Sequence, residues 1–211
     1  MTTLTLRPNG DTTAGWEPST GNNEYACIDE SVADDADYVY VRAIVDTGIS
    51  VYAYPDHTTE SGDINSVKIY ARCKDIVFTG VPPATSHIKL SAYSGINGTD
   101  QTLTSSWAVY TQTWTTNPNT GVAWTWADID ALSAGFTGIL SAPMDAKNYS
   151  RPFCSHFYVE VDHTGASPGW ANIKNIRAGT GLITATDVES IWFGTSQIAV
   201  ADIAEMNGVA V

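Results

Sequence analysis

An all-β body, either a sandwich or a barrel, followed by a tail of short repeats is expected from three features of this 211-residue chain. Short runs that alternate apolar and polar residues recur along positions 1–164, as half-buried strands require. Turn-forming clusters separate these runs at roughly ten- to twenty-residue intervals, with no long helical pattern between them. Charged residues are only 16%, and Thr, Ser, Gly, Asn and aromatics fill the gap. That composition suits pleated, half-buried surfaces.

The strands are expected in order at 3–7 (TLTLR), 38–45 (YVYVRAIV), 50–54, 66–73 (SVKIYARC), 75–79, 87–93 (HIKLSAY), 101–104, 108–114 and 153–161 (FCSHFYVEV). In SVKIYARC, Val67, Ile69 and Ala71 fall on one face and Lys68, Tyr70 and Arg72 on the other. The 75–79 run continues that strand after a kink. Pro55–Asp56, Ser61–Gly62, Pro82–Pro83, Asn97–Gly98, Asn117–Pro118–Asn119 and Gly138 read as turns. One stretch departs from β. Thr125 caps a short helix over 126–132 (WADIDAL), with Asp128 in its first turn and Gly135 beyond its end. Trp126, Ile129 and Leu132 would share its buried face.

The small, polar run His163–Gly169 (HTGASPG) reads as a boundary, giving a body at 1–164, a linker at 165–170 and a tail at 171–211. The tail repeats with a period of fifteen: Ile173, Ile176, Gly179 and Ile183 are followed by Val188, Ile191, Gly194 and Ile198. A third copy holds Ile203, Met206 and Gly208. Each unit is expected as one helical turn, ended by its Gly, then a short strand. Units this short bury their apolar residues only by stacking. The expected interface residues are therefore Ile173, Ile176, Val188, Ile191, Trp192, Phe193, Ile198, Ile203 and Met206, with a trimer as the first expectation for the oligomer.

The formal net charge of −13 argues against nucleic acid and against an anionic membrane surface. No apolar run approaches the length of a transmembrane helix. The start, MTTLTLRPNGD, lacks the features of a signal peptide, so release by cell lysis is expected if the protein leaves the cell. Cys27, Cys73 and Cys154 include no CxxC pair and read as buried thiols. If one bridge forms, Cys73 and Cys154, each beside a strong strand pattern, are the pair.

Signatures of catalysis are missing: there is no GxSxG, HExxH, P-loop or GxGxxG. The carboxylate pairs Asp128/Asp130 and Glu160/Asp162 are the only glycosidase-like candidates, and solvated acids explain them better. His87 and His156 would meet if their strands pair. The acidic run Asp29, Glu30, Asp34, Asp35, Asp37 is dense enough to take a structural Ca²⁺, with Asp34, Asp35 and Asp37 as ligands; otherwise no cofactor is expected. Trp107, Trp114, Trp124 and Trp126, with Tyr93 and Tyr110, crowd one third of the chain. Among these, Trp124, Trp126 and Tyr93 are the expected glycan-stacking residues, Trp124 being the expected exposed ring.

Several segments together resemble a known family. These are LRPNGD, the DExVADDADYVYV entry to a long strand, Pro55-Asp56-His57, WTTNPNTGxAWTWADIDAL, FYVEVDHT, and the ending IAEMNGVAV. They resemble jelly-roll proteins encoded widely by bacteriophages and in metagenomes, and the ending is similar to short repeats that close many phage virion proteins. The resemblance implies a jelly-roll sandwich like that of carbohydrate-binding modules, and a non-enzymatic virion role as capsid decoration or tail or fibre component. Other virion proteins would be its partners. A glycan-binding adhesin is the alternative.

Overall fold

The computed structural model describes residues 2–21, 23–41, 47–78, 85–140 and 149–165, and the backbone of 177–178, 181–182, 191–193 and 196–198. The chain divides into two compact units, Met1–Gly165 and Ala166–Val211.

The first unit is an all-β sandwich of two antiparallel sheets. Its strands are β1 (Thr2–Leu6), β2 (Gly10–Thr13), β3 (Glu17–Pro18), β4 (Val39–Tyr40), β5 (Thr47–Ala53), β6 (Ile64–Phe78), β7 (His87–Tyr93), β8 (Ile96–Asn97), β9 (Gln101–Thr102), β10 (Ala108–Trp114), β11 (Gly135–Ile139) and β12 (Tyr149–His163). The first sheet runs β10-β6-β12-β4-β3, with β1 also paired to β12. The second runs β2-β5-β11-β7-β8, with β9 also paired to β7. From β4 to β7 the chain switches sheet at every step, and it does so again from β10 to β12. That alternation winds the two sheets as a jelly roll.

Alternation in the sequence builds the core. Along β6, Val67, Ile69, Ala71 and Cys73 are fully buried, and on β12 Phe157, Val159 and Val161 are too. Register sets Val161 opposite Val67, Val159 opposite Ile69 and Phe157 opposite Ala71. Tyr52, Ile88, Leu90 and Phe136 close the core from the second sheet. The 66–73 run and residues 75–78 of the next join in one unbroken fifteen-residue strand, and Thr79 lies outside the described residues. Of the expected strand at 38–45, Val39–Tyr40 is paired and the backbone N–H of Val41 donates to the Pro152 carbonyl; 42–46 lie outside the described residues.

Gly135 and Gly138 belong to a strand, where a helix stop and a turn were expected. β11 is central in the second sheet, between β5 and β7. Both glycines are there for close approach. A Cβ on Gly135 would meet the Ser50 carbonyl and Val51 Cα of β5, and one on Gly138 would meet the Trp16 ring, Val41 and Pro152. The expected helix forms as a single turn, α1 (Trp126–Asp130), two residues shorter than expected. Its Thr125–Asp128 capping box is complete, and Ile129 and Leu132 are buried.

In the second unit, β13 (Arg177–Ala178) pairs with β14 (Gly181–Leu182), and β15 (Ile191–Phe193) pairs with β16 (Ser196–Ile198). Ala178 and Phe193 stand fifteen residues apart, as do Gly181 and Ser196, so the backbone pairing follows the sequence period. Ile191 lies in a strand, where a helical turn was expected; the β-branched and aromatic run Ile-Trp-Phe favours extended backbone. Trp192, Phe193 and Ile198 are likewise in strands. Ile173, Ile176, Val188, Ile203 and Met206 lie outside the described residues.

Candidate functional site

The outer face of the first sheet gathers the chemistry. The same alternation that buries Val67, Ile69, Ala71 and Cys73 turns Lys68, Tyr70, Arg72 and Lys74 outward. On β12, Tyr158 and Glu160 face outward opposite Tyr70 and Lys68. A bulge between Cys154 and His156 inserts Ser155 and changes the phase of β12, so Phe153 rather than Cys154 stands opposite Lys74.

Side chains on this face interlock. The Tyr70 and Tyr158 rings stack at 4.6 Å with planes 5° apart. Lys68 Nζ lies 4.5 Å from the Tyr70 ring centre, and the Arg7 guanidinium 5.4 Å from that of Tyr158. Lys74 Nζ lies 4.4 Å from the Trp107 ring, and Arg151 sits 5.6 Å from Tyr40. Tyr40 in turn stacks on Phe153 at 5.5 Å. Arg7, Lys68, Arg72, Lys74 and Arg151 are five of the chain's ten basic residues, all in cation–π contact, in a protein of net charge −13. Such a surface presents rings, hydroxyls and cations together, which suits a polar polymer carrying negative groups. Tyr70, Tyr158, Trp107 and Tyr40 were missed as a site. The outward register of Lys68, Tyr70 and Arg72 was visible in the alternation, but not the ring that β12 sets beside them.

The expected glycan residues are placed differently. Trp124 is only 4% exposed, and its Nε1 donates to the Trp114 carbonyl at 3.1 Å, so it is a core ring and not an exposed one. Tyr93 is half-buried beside it, with ring centres 6.1 Å apart, and receives Asn117 Nδ2 at 3.2 Å. Trp126 is half-buried, stacks on His57 at 4.9 Å, and donates from Nε1 to the Gly62 carbonyl at 2.8 Å. The loop around Trp124 folds back on the sandwich, which covers the ring that composition alone suggested was free.

The acidic run does not converge. Asp35 takes a two-pronged ion pair from Arg72, at 2.8 and 2.7 Å, and a hydrogen bond from Ser155 Oγ at 2.8 Å. Those Arg72 bonds hold its carboxyl below the usual range. Asp37 accepts from Ser19 Oγ at 2.7 Å and Thr20 Oγ1 at 2.9 Å, while Asp34 accepts from the Ala36 N–H at 2.9 Å. Asp34, Asp35 and Asp37 thus serve three separate sets of partners. Among the described residues no group of three or more His, Cys, Asp or Glu is arranged to hold a metal ion.

His87 and His156 do not meet, because β7 and β12 belong to different sheets and do not pair. His87 Nδ1 contacts Asp100 at 3.0 Å. His156 Nε2 lies 2.8 Å from the Glu30 carbonyl and 2.9 Å from Arg7. Burial pushes its imidazole below the usual range, against the opposing pull of that carbonyl.

A buried carboxyl lies elsewhere. Glu24, 1% exposed, accepts from the Trp16 N–H at 2.6 Å and from Tyr52 Oη at 3.2 Å. Asp11 accepts the N–H groups of Glu24 and Tyr25 at 2.9 and 2.8 Å. Burial drives the Glu24 carboxyl up to about 7. All its contacts bind the chain segment after β2 to the core, a structural role.

No protein-family model matches the chain, and no curated protein matches it. No helix among the described residues is long and apolar enough to cross a membrane.

Proposed function

We propose that the chain is a non-enzymatic virion structural protein, a capsid decoration or a tail or fibre component, whose jelly-roll body is displayed and whose tail joins it to other virion proteins. The observation that carries the assembly role is the fifteen-residue recurrence of two-stranded hairpins in the second unit. A lone two-stranded hairpin is marginal in water and needs a covering surface. The virion setting rests on the resemblance of LRPNGD, the WADIDAL region and IAEMNGVAV to phage proteins. A trimer, with tails sharing one core, is the proposed state. Deleting Ala166–Val211 is expected to leave a folded monomeric body that no longer joins particles. A truncated body that keeps the oligomeric mass of the full chain in solution scattering would sink the proposal.

A glycan-binding adhesin is the second reading, and the cation–π face of the first sheet favours it. The site then lies at Tyr70, Tyr158, Trp107 and Lys74 and not at Trp124. Acidic polysaccharides are the expected class, since cations complement their carboxylates and the tyrosine hydroxyls offer hydrogen bonds to sugar oxygens. Tyr158→Ala is expected to abolish retention on an acidic glycan array with circular dichroism unchanged, and added salt to weaken binding by the wild type. Wild-type protein that ignores every acidic glycan on the array at low salt would remove this reading.

A further inference from the structure

Cys73 and Cys154 face each other at the middle of the first sheet. They are register partners on β6 and β12, and both are fully buried free thiols. Directly paired residues of antiparallel strands hold their Cα atoms about 4.5–5.5 Å apart. A disulfide spans Cα separations of about 4.4–6.8 Å. The backbone therefore already stands at bridging distance, with both side chains on the core face. The third thiol does not compete: Cys27 Sγ contacts the Thr20 carbonyl at 3.4 Å and the Asn23 carbonyl at 3.8 Å.

We infer that Cys73 and Cys154 are a modification site, a pair of thiols that a small-molecule disulfide converts to an intramolecular bridge between β6 and β12. One thiolate attacks the oxidant, such as glutathione disulfide, forming a mixed disulfide and releasing one reduced glutathione. The second thiol displaces the other glutathione and closes the bridge. Two thiol protons and two electrons pass to the oxidant, which leaves as two thiols. Both sulfurs are shielded, so the exchange proceeds while the chain folds or when the sheet opens. The short strand β4 pairs with β12 at Phe153 and Cys154, beside the site. The bridge would tie together the longest strand pair of the body, closing a loop of some eighty residues, and protect it once the protein leaves a reducing cytoplasm.

The test is to unfold the full reduced chain and refold it with oxidised glutathione, then to measure intact mass and map peptides without reduction. The expected product has lost two hydrogen masses, contains a cross-linked peptide joining Cys73 to Cys154, and leaves Cys27 open to alkylation. Its thermal midpoint is expected to rise by about 10 °C over the reduced protein. Cys27→Ala is expected to oxidise in the same way. Folded protein in which Cys73 and Cys154 remain fully alkylatable overturns the inference. So does a product that carries only glutathione adducts, bridges to Cys27, or links between chains.

Discussion

Glu24 sits with its carboxyl among Trp16, Tyr52 and the core, and burial raises its pKa from 4.5 to about 7, the Asp11 charge adding to the effect. The folded state thus holds a proton that the unfolded chain has released in this interval. Its stabilising contribution is complete below about pH 4.5 and is lost as pH rises through about 7. The wild type should lose about 2–3 kcal/mol between pH 5 and 8 from this group alone. Glu24→Gln should remove that loss, as read from denaturant midpoints at the two pH values. Equal pH dependence in both proteins would show that the proton resides elsewhere. Asp35 behaves in the opposite sense. Its depressed pKa contributes stability above the unfolded value, lost as pH falls through the folded one, and its partial exposure keeps that term small. A residue's type set its repertoire in these cases, and the neighbours chose the role. An aspartate in an acidic run became the partner of Arg72, and a tryptophan in a polar loop became core.

β11 shows how an element escapes sequence reading. Gly135-Phe-Thr-Gly carries two glycines that signal turns, yet the strand is flanked on both sides in the second sheet. Gly135 makes room for the β5 backbone at Ser50 and Val51, and Gly138 for Trp16, from a segment more than a hundred residues earlier, whose Nε1 donates to the Gly48 carbonyl at 3.1 Å. Gly138→Val should crowd Trp16, Val41 and Pro152 and destabilise the body by about 1–3 kcal/mol, measured by urea denaturation. A neutral outcome would mean that the Trp16 ring moves aside at little cost. The cap of α1 and the alternation of β6 and β7 were legible because each is decided within a few residues of chain. The bulge at Ser155 was not, since its register is set by β6 and its hydroxyl is held by Asp35.

At the scale of the molecule, two sheets wound as a jelly roll give one buried interior and one outer face where half of the basic residues meet aromatic rings. The body owns its core, from Leu6 to Val161, which is why the Ala166–Val211 deletion is expected to leave a folded domain. The sequence by itself determined the all-β class, the strand faces, the helix cap and the fifteen-residue period, because periodicity and capping are local properties of the chain. Tertiary structure alone decided the strand order, the burial of Trp124 and the assembly of the outer face. Each of these depends on residues brought together from distant parts of the chain, and a side chain's exposure is set by whatever element comes to lie over it.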